Sequence, residues 1–420
     1  MWTKHFILFN ISPLFTFGLL LPFILSGAKC IAIGIAKGEH MKVTVFEVKT
    51  RKQQKQFVNF PLELYKGNPY FVPPLYADEM DVFKPNYMYY DTSVAVYFLA
   101  ADETGKIVGR ISAILQKAAN EKWQQNRVRF TRFDSIDNQQ VADGLFAAVE
   151  NWAKQQGMEE VVGPLGFSDF EREGLLIDGF DYLSTFEEQY NYPYYQRLIE
   201  NCGYRKDVDW LEHRLFKMKP EEQERYGRIT AKMMKKYNLH FDNSKNTNEF
   251  IRKYADKFFA LVDDTYSQIY GTVPFTDNMK KALIANFKLI VDVKFVSAIL
   301  DENDNIVAFG LCFPAMGAAL QKSGGKLTLP AIVRVLKAVK HPKMLDLGLI
   351  GVIDEYKNKG IASVLIYSLG KYMSEFNLEY LETNLNLEEN VAILNCWKCF
   401  DHIQHKRRRS FVKKLAPKNP

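Results

Sequence analysis

Two stretches of this chain are versions of one another, and that repetition limits the folds open to it. VYFLAADETGKIVGRISAIL begins at Val96 and VKFVSAILDENDNIVAFGLCF at Val293. Each alternates like a strand, turns at an Asp-Glu pair and resumes with Ile-Val. Asp102-Glu103 and Ile107-Val108 in the first match Asp301-Glu302 and Ile306-Val307 in the second at one constant offset. Further on, GMEEVVGPL from Gly157 matches NLEYLETNL from Asn377. Each of these follows a helical stretch, Gln139 to Gln156 in one case and Gly360 to Phe376 in the other. Each precedes another helix, in YYQRLIENCGY and NVAILNCWKCF. Both halves therefore read helix, hairpin, strand, helix, strand, helix, strand. Units this long are duplicated domains rather than solenoid repeats.

Length agrees with duplication. A chain of 420 residues exceeds one ordinary core. The expected class is α/β (α+β), with two tandem domains, each a mixed twisted sheet flanked by helices. The first domain spans 41–216 and the second 239–415. The polar segment 217–238, KMKPEEQERYGRITAKMMKKYN, reads as an exposed linker helix. A net charge of +6 is too mild for a dedicated nucleic-acid binder, and it suits an anionic ligand or an acidic membrane surface.

Residues 1–40 form a hydrophobic extension that supports three readings. Phe6 to Ala28 is uncharged and long enough for an anchor. It also reads as a cleaved signal, or as sequence upstream of the working start at Met41, where MKVTVFEVKT opens as a strand. Five cysteines make no disulfide framework. Cys396, Cys399, His402 and His405 have a metal-like look, but ligands at successive i, i+3 steps string out along ~13 Å of helix and cannot surround one ion. No metal is expected.

The second half carries the chemical signal. In GVIDEYKNKGIASVLI, an apolar strand leaves through Lys357-Asn358-Lys359-Gly360 and enters a helix at once. Such a junction presents backbone N–H groups to an anion. Gly360 allows close backbone approach. The first half has Asp134 and Asp137 in the corresponding stretch, DSIDNQQVADG, which disfavours phosphate there. Only the second copy is expected to bind an anionic ligand at this place.

Element order and loop together resemble the GNAT superfamily of acyl-CoA-dependent N-acyltransferases. The family's loop is Arg/Gln-x-x-Gly-x-Gly/Ala; here it is Lys357-x-x-Gly360-x-Ala362, with Lys in the first place. The family's Asn opening the helix after strand five is matched by Asn390. The resemblance covers 239–415 well and 41–216 more weakly, and the whole chain is similar to bacterial tandem-GNAT proteins, some linked to sphingoid-base acylation. It implies transfer from acyl-CoA or acetyl-CoA, as co-substrate, to an amine acceptor, a lipid or sphingoid base being one candidate. It further implies a cytoplasmic protein, either free or associated with the inner membrane.

The resemblance also assigns residues. Lys357, Asn358, Lys359, Gly360, Ile361 and Ala362 would hold the pyrophosphate. Ile350, Gly351 and Val352 would pair with the pantetheine arm, and an N–H near Gly351 or Val352 would hold the oxyanion. Glu382 is the first candidate for the base that deprotonates the amine, with Asn384 on its face of the strand; Asp346 is the second. The Tyr that many members carry seven residues after the Asn is here Trp397, which cannot give up a proton. Tyr372 and Tyr380 lie nearby in sequence. Trp397 leaves a second function open: a non-catalytic acyl-CoA-binding or scaffolding pseudoenzyme.

Three other segments stand out. GPLGFSDFEREGLLIDGFD, Gly163 to Asp181, is either a packing loop or the wall of an acceptor pocket with Glu173 and Asp178 facing an amine. TLPAIVRVLKAVK is an amphipathic helix that covers the core, lies on a membrane or roofs an acyl tunnel. HKRRRSFVKK reads as a last strand with solvated arginines.

Overall fold

The computed structural model describes residues 41–416. The readings of residues 1–40 lie outside them. The first half runs β1 (Thr44–Glu47), α1 (Arg51–Leu64), α2 (Tyr76–Asp81), β2 (Ser93–Ala101), β3 (Ile107–Gln116) and α3 (Lys117–Trp123). It continues through β4 (Arg127–Ser135), α4 (Gln139–Gln155), β5 (Glu160–Gly163), β6 (Leu175–Asp178), α5 (Tyr194–Asn201) and β7 (Arg205–Met218). The linker is helical, α6 (Pro220–Lys236), and begins with proline, whose missing N–H costs nothing there.

The second half opens with β8 (His240–Phe241), α7 (Thr247–Thr265), α8 (Asp277–Ile290), β9 (Val296–Leu300) and β10 (Ile306–Pro314). An insertion supplies α9 (Gly317–Gln321) and α10 (Leu329–Lys340). Then come β11 (Met344–Val352), α11 (Ala362–Glu375), β12 (Tyr380–Glu382), β13 (Asn386–Leu387), α12 (Val391–Cys396) and β14 (Phe400–Lys414). Helix starts follow the sequence closely. Thr50 caps α1 in a reciprocal box with Gln53, and Asn246 caps α7.

All the strands join one mixed sheet, ordered β1-β2-β3-β4-β5-β14-β7-β12-β11-β10-β9-β8. Parallel pairs occur at β4–β5 and β11–β12. The halves exchange their last strands. β14, from the second half, pairs with β5, while β7, from the first, pairs with β12. The exchanged strands pair antiparallel with each other from Phe400–Met218 to Val412–Arg205.

Charge fixes that central pair. Asp209 on β7 accepts from Arg407 Nη1 at 2.9 Å and Arg409 Nε at 2.7 Å, and Glu212 accepts from Arg408 Nε at 2.6 Å. The side chains of Asp209, Glu212, Lys406 and Arg408 are fully buried. The basic tail is therefore an interior strand, not a solvated one. Its cations answer the acids of β7, because a buried charge must be paired.

The β11–β12 seam opens. β11 pairs with β12 only over Met344–Tyr380, Leu345–Leu381 and Asp346–Glu382. Beyond Glu382 the chain follows β7 instead. Thr383 N–H donates to His213 O at 2.8 Å, and Asn386 and Leu387 pair with Leu211 and Trp210. One edge of β11 from Leu347 onward is left facing a gap. Among the described residues no helix is long and apolar enough to cross a membrane.

Candidate active site

The gap beside β11 opens into a cavity of about 520 Å³ lined by both halves of the chain. The second half gives it apolar walls: Phe250, Phe258 and Phe259 of α7, Ile284 and Phe287 of α8, and Leu349 of β11. The first half gives it charge, with Arg110, Arg132, Asp169, Glu173, Glu187 and Glu188 among its contributions. Thr383, Asn384, Asn386, Asn390 and Trp397 complete the side beyond the splay.

Tyr266, just after α7, stands at the free edge of β11. Its hydroxyl donates to Ile350 O at 3.1 Å and accepts from Ile350 N–H at 3.1 Å. Both polar groups of Ile350 therefore point away from β10. By strand alternation those of Val352 point the same way and those of Gly351 point toward β10. Gly351 has another part to play: a Cβ there would come within 2.5 Å of the Phe309 ring. Burial raises the Tyr266 hydroxyl to about 12, so it holds its proton. Nothing in the sequence ties Tyr266 to residue 350.

The loop at the head of α11 keeps its expected form. Asn358 and Gly360 have φ of 59° and 82°. A Cβ on Gly360 would meet Met233 Sδ of α6 at 3.3 Å. Lys357, Asn358 and Gly360 are exposed or half-buried and Ile361 is buried. No side chain caps the start of α11. The equivalent helix α4 is closed differently: Asn138 Oδ1 accepts from Gln140 N–H at 2.9 Å and Val141 N–H at 3.3 Å. The two helix starts thus differ, closed by the Asn138 side chain in the first half and without a side-chain cap in the second. Lys357 pairs with Asp354, and the Lys359 ammonium lies 5.0 Å from the Tyr356 ring centroid. The cavity reaches α11 at Leu365 and Leu369 and does not extend to this bend.

The expected bases are differently placed. Glu382 is enclosed and does not line the cavity: Oε1 accepts from His405 Nε2 at 2.9 Å and from Lys406 Nζ, and Oε2 from Arg214 Nε at 3.2 Å. Burial opposes ionisation, but Lys406, His405 and Arg214 together hold the carboxyl well below the usual range. A carboxylate so engaged is a weak proton acceptor. Glu212, Glu382 and His405 present ligand atoms within 4.8 Å of one another, and the Lys406 ammonium bridges the two carboxylates of this triad. Asp346 is buried, with Oδ2 unpartnered, and does not line the cavity. Burial and then the nearby Glu382 and Glu187 raise it strongly.

Glu173, one of the two acids expected to face an acceptor, lines the cavity, and so do Glu187 and Asp169, which no sequence pattern marks. Burial raises Glu187 to about 7, against the pull of Arg172, and raises Asp169 to about 6. Glu173 is buried with Oε1 unpartnered; burial and Asp169 raise it strongly. Asp178 is exposed at the end of β6, accepts from Gly179 N–H at 3.0 Å and is not in the lining.

Asn384 lines the cavity and accepts from Leu385 N–H at 2.7 Å. Asn390 Oδ1 caps α12 by accepting from Ile393 N–H at 3.3 Å. The Trp397 indole, buried, donates to Asn386 Oδ1 at 2.9 Å. Tyr372 shares a 2.7 Å hydrogen bond with Ser297, and the Arg214 guanidinium lies over the Tyr380 ring.

No family model matches the chain. It is 26% identical over 373 residues to protein YghO of Escherichia coli (strain K12), covering 86% of this chain and 93% of that one. It is 25% identical over 389 residues to a bacterial ceramide synthase of Caulobacter vibrioides, covering 89% and 98%. A solved tandem GNAT protein from the clavulanic acid biosynthesis pathway superposes with a TM-score of 0.51 at 10% identity, covering 90% of this chain and all of that one. The GCN5-related glucosamine N-acetyltransferase region of a fungal multi-domain GH3 β-N-acetylglucosaminidase superposes with a TM-score of 0.52 at 12% identity, covering 89% and 38%.

Proposed function

We propose that this chain, whose fold is the tandem GNAT fold, transfers an acyl group from acyl-CoA to the amine of a long-chain acceptor such as a sphingoid base. The observation that carries the reading is the free edge of β11, which opens into a cavity with apolar walls from one half and charged side chains, carboxylates and arginines, from the other. A pantetheine arm needs unpaired strand amides, an acyl chain needs the aromatic walls of α7 and α8, and an ammonium needs carboxylates. The ceramide synthase name of one relative agrees with a lipid amine. Residues 239–415 act as the donor module, and 41–216 supplies the acceptor wall. Such an enzyme would work in the cytoplasm, at the inner face of the membrane.

Each group then has a task. The bend at Gly360 and the positive end of α11 take the pyrophosphate, with Lys357 and Lys359 side chains as counter-charges. Glu187 takes a proton from the acceptor ammonium, and the freed amine nitrogen attacks the thioester carbonyl. Ile350 N–H, released by Tyr266, donates to the oxygen as charge develops there. The C–S bond breaks, and Tyr266 passes its proton to the departing thiolate while the nitrogen's second proton is returned through solvent to the phenol oxygen, so the hydroxyl ends protonated; the Trp397 indole cannot fill this role. The products are an amide and the free thiol of CoA.

The test is thiol release with acyl-CoA donors of several lengths and a long-chain amine, with the amide identified by mass. Amide formed in step with thiol supports the reading. A donor that binds, with no thiol released by any acceptor, would favour an acyl-CoA-binding pseudoenzyme.

A further inference from the structure

α10 is apolar on two sides. Ala331 packs inward and is fully buried, with Val335 and Ala338 set beside it along the helix. Leu329, Ile332, Val333 and Leu336 stand at i, i+3, i+4 and i+7, one stripe of a helix, and point outward. They are 81, 38, 65 and 62% exposed, and Leu327 just ahead of them is 53% exposed. Scattered exposed leucines need no explanation, but a continuous stripe of five large apolar side chains does.

The insertion that carries this stripe has charge of one sign. From Asn305 to Leu345 the chain contains no Asp or Glu, while Lys322, Lys326, Arg334, Lys337, Lys340 and Lys343 lie in the insertion. The insertion is also tied to a segment that lines the cavity. Gln321 Nε2 donates to Pro69 O at 2.9 Å and Phe71 O at 3.0 Å, and Tyr76 N–H donates to Gly325 O at 3.0 Å. Phe71, Pro74 and Leu75 line the cavity.

We infer that α10 is a bilayer-docking helix, its outward stripe entering the headgroup boundary of an anionic phospholipid surface and its lysines meeting the headgroups. An apolar stripe flanked by cations is the pattern that binds in the plane of such an interface. A second copy fits less well, since two such faces would bring like charges together. Docking through α10 would bring a bilayer close to the 69–76 segment that the insertion holds, from which an amphiphilic amine would have a short path to the cavity. This last step rests on the acyltransfer reading; docking itself does not.

The experiment uses the full chain with vesicles of phosphatidylcholine alone or mixed with phosphatidylglycerol. Flotation should be strong only on the mixed vesicles and should weaken as salt rises. Leu329→Ser with Leu336→Ser, and separately Lys337→Glu with Lys340→Glu, should each lower partition by about tenfold or more without moving the melting temperature. The fluorescence that Val333→Trp adds should be quenched by bromine-labelled lipid, which reads α10 directly. Equal binding to both vesicle types, absence of that quenching or undiminished partition of the variants would overturn the inference. So would a dimer in solution that Leu336→Ser dissociates. Because flotation needs no turnover, failure here leaves the thiol-release result standing, and failure there leaves this one standing.

Discussion

Arg408 donates through Nε to Glu212 at 2.6 Å, and neither side chain has any exposed surface. The two residues belong to opposite halves of the repeat, so this contact measures the strand exchange. Arg408→Met leaves Glu212 buried without its closest partner, with Lys406 at 3.5 Å and His405 nearby. It should cost about 3–5 kcal/mol, the range for removing one member of a buried pair. Arg408→Met with Glu212→Leu should recover part of that. Urea denaturation of both variants is the check, and a single variant as stable as the parent would contradict the pairing.

Acid should attack the same seam. The Glu212, Glu382 and Asp209 carboxyls are all held below their ordinary values, against burial, by Arg408 and Lys406, by Lys406 with His405, and by Arg409 with Arg407 respectively. A depressed carboxyl contributes stability in full above its unfolded value, ~4, and loses it as pH falls through the folded value. Asp209 falls to about 2 in the folded chain, so its share should disappear between those limits. Melting temperature followed from about pH 6 down to about pH 2 should fall steeply below ~4, and Asp209→Asn should flatten the fall.

Gly360 tests the donor site. Gly360→Asp places a carboxylate at the positive end of α11 and should abolish the thermal shift that acyl-CoA gives the parent. Gly360→Asn tolerates φ of 82° better than other residues and adds no charge, so it should retain part of the shift. Equal loss in both variants would make backbone strain, not charge, the cause.

Tyr266 separates binding from chemistry. Tyr266→Phe removes the hydroxyl from Ile350 and should lower kcat by about tenfold or more with little change in KM, as expected for a group that acts in the transition state. Unchanged kcat would remove Tyr266 from the mechanism.

The base shows in the pH profile. Glu187 must be ionised to accept a proton, and burial raises it to about 7. The value of kcat/KM should therefore climb with pH below ~7 and level above it. Glu187→Gln should remove that limb and lower the rate by about 10²-fold or more. Glu382→Gln, by contrast, should act mainly on stability, since Lys406 and His405 already hold that carboxylate.

Local pattern carried much of this architecture. The repeat gave the element order, and the helix expected over Gln139 to Gln156 is found at Gln139–Gln155. The strand–loop–helix at Gly360 was readable because only backbone geometry and one glycine define it. What escaped depends on distant partners. RRR at Arg407–Arg409 looked solvated because a strand's neighbours are not written in its own residues; DVDWLEH held the complementary acids in plain view. Glu382 looked like a base because alternation gives its face but not the three cations around it. Tyr266 carries no pattern at all, and its place follows only from α7 lying against the open edge of β11.

The exchange of β7 and β14 also sets a timetable for synthesis. A nascent chain that has just finished β7 holds most of a domain, with the edge of β5 bare and a strand bearing Asp209 and Glu212 in search of cations not yet made. Those cations arrive only after nearly two hundred further residues have been translated. Until then the edge of β5 lacks the strand that the finished structure gives it, and Asp209 and Glu212 lack the cations that accompany them there.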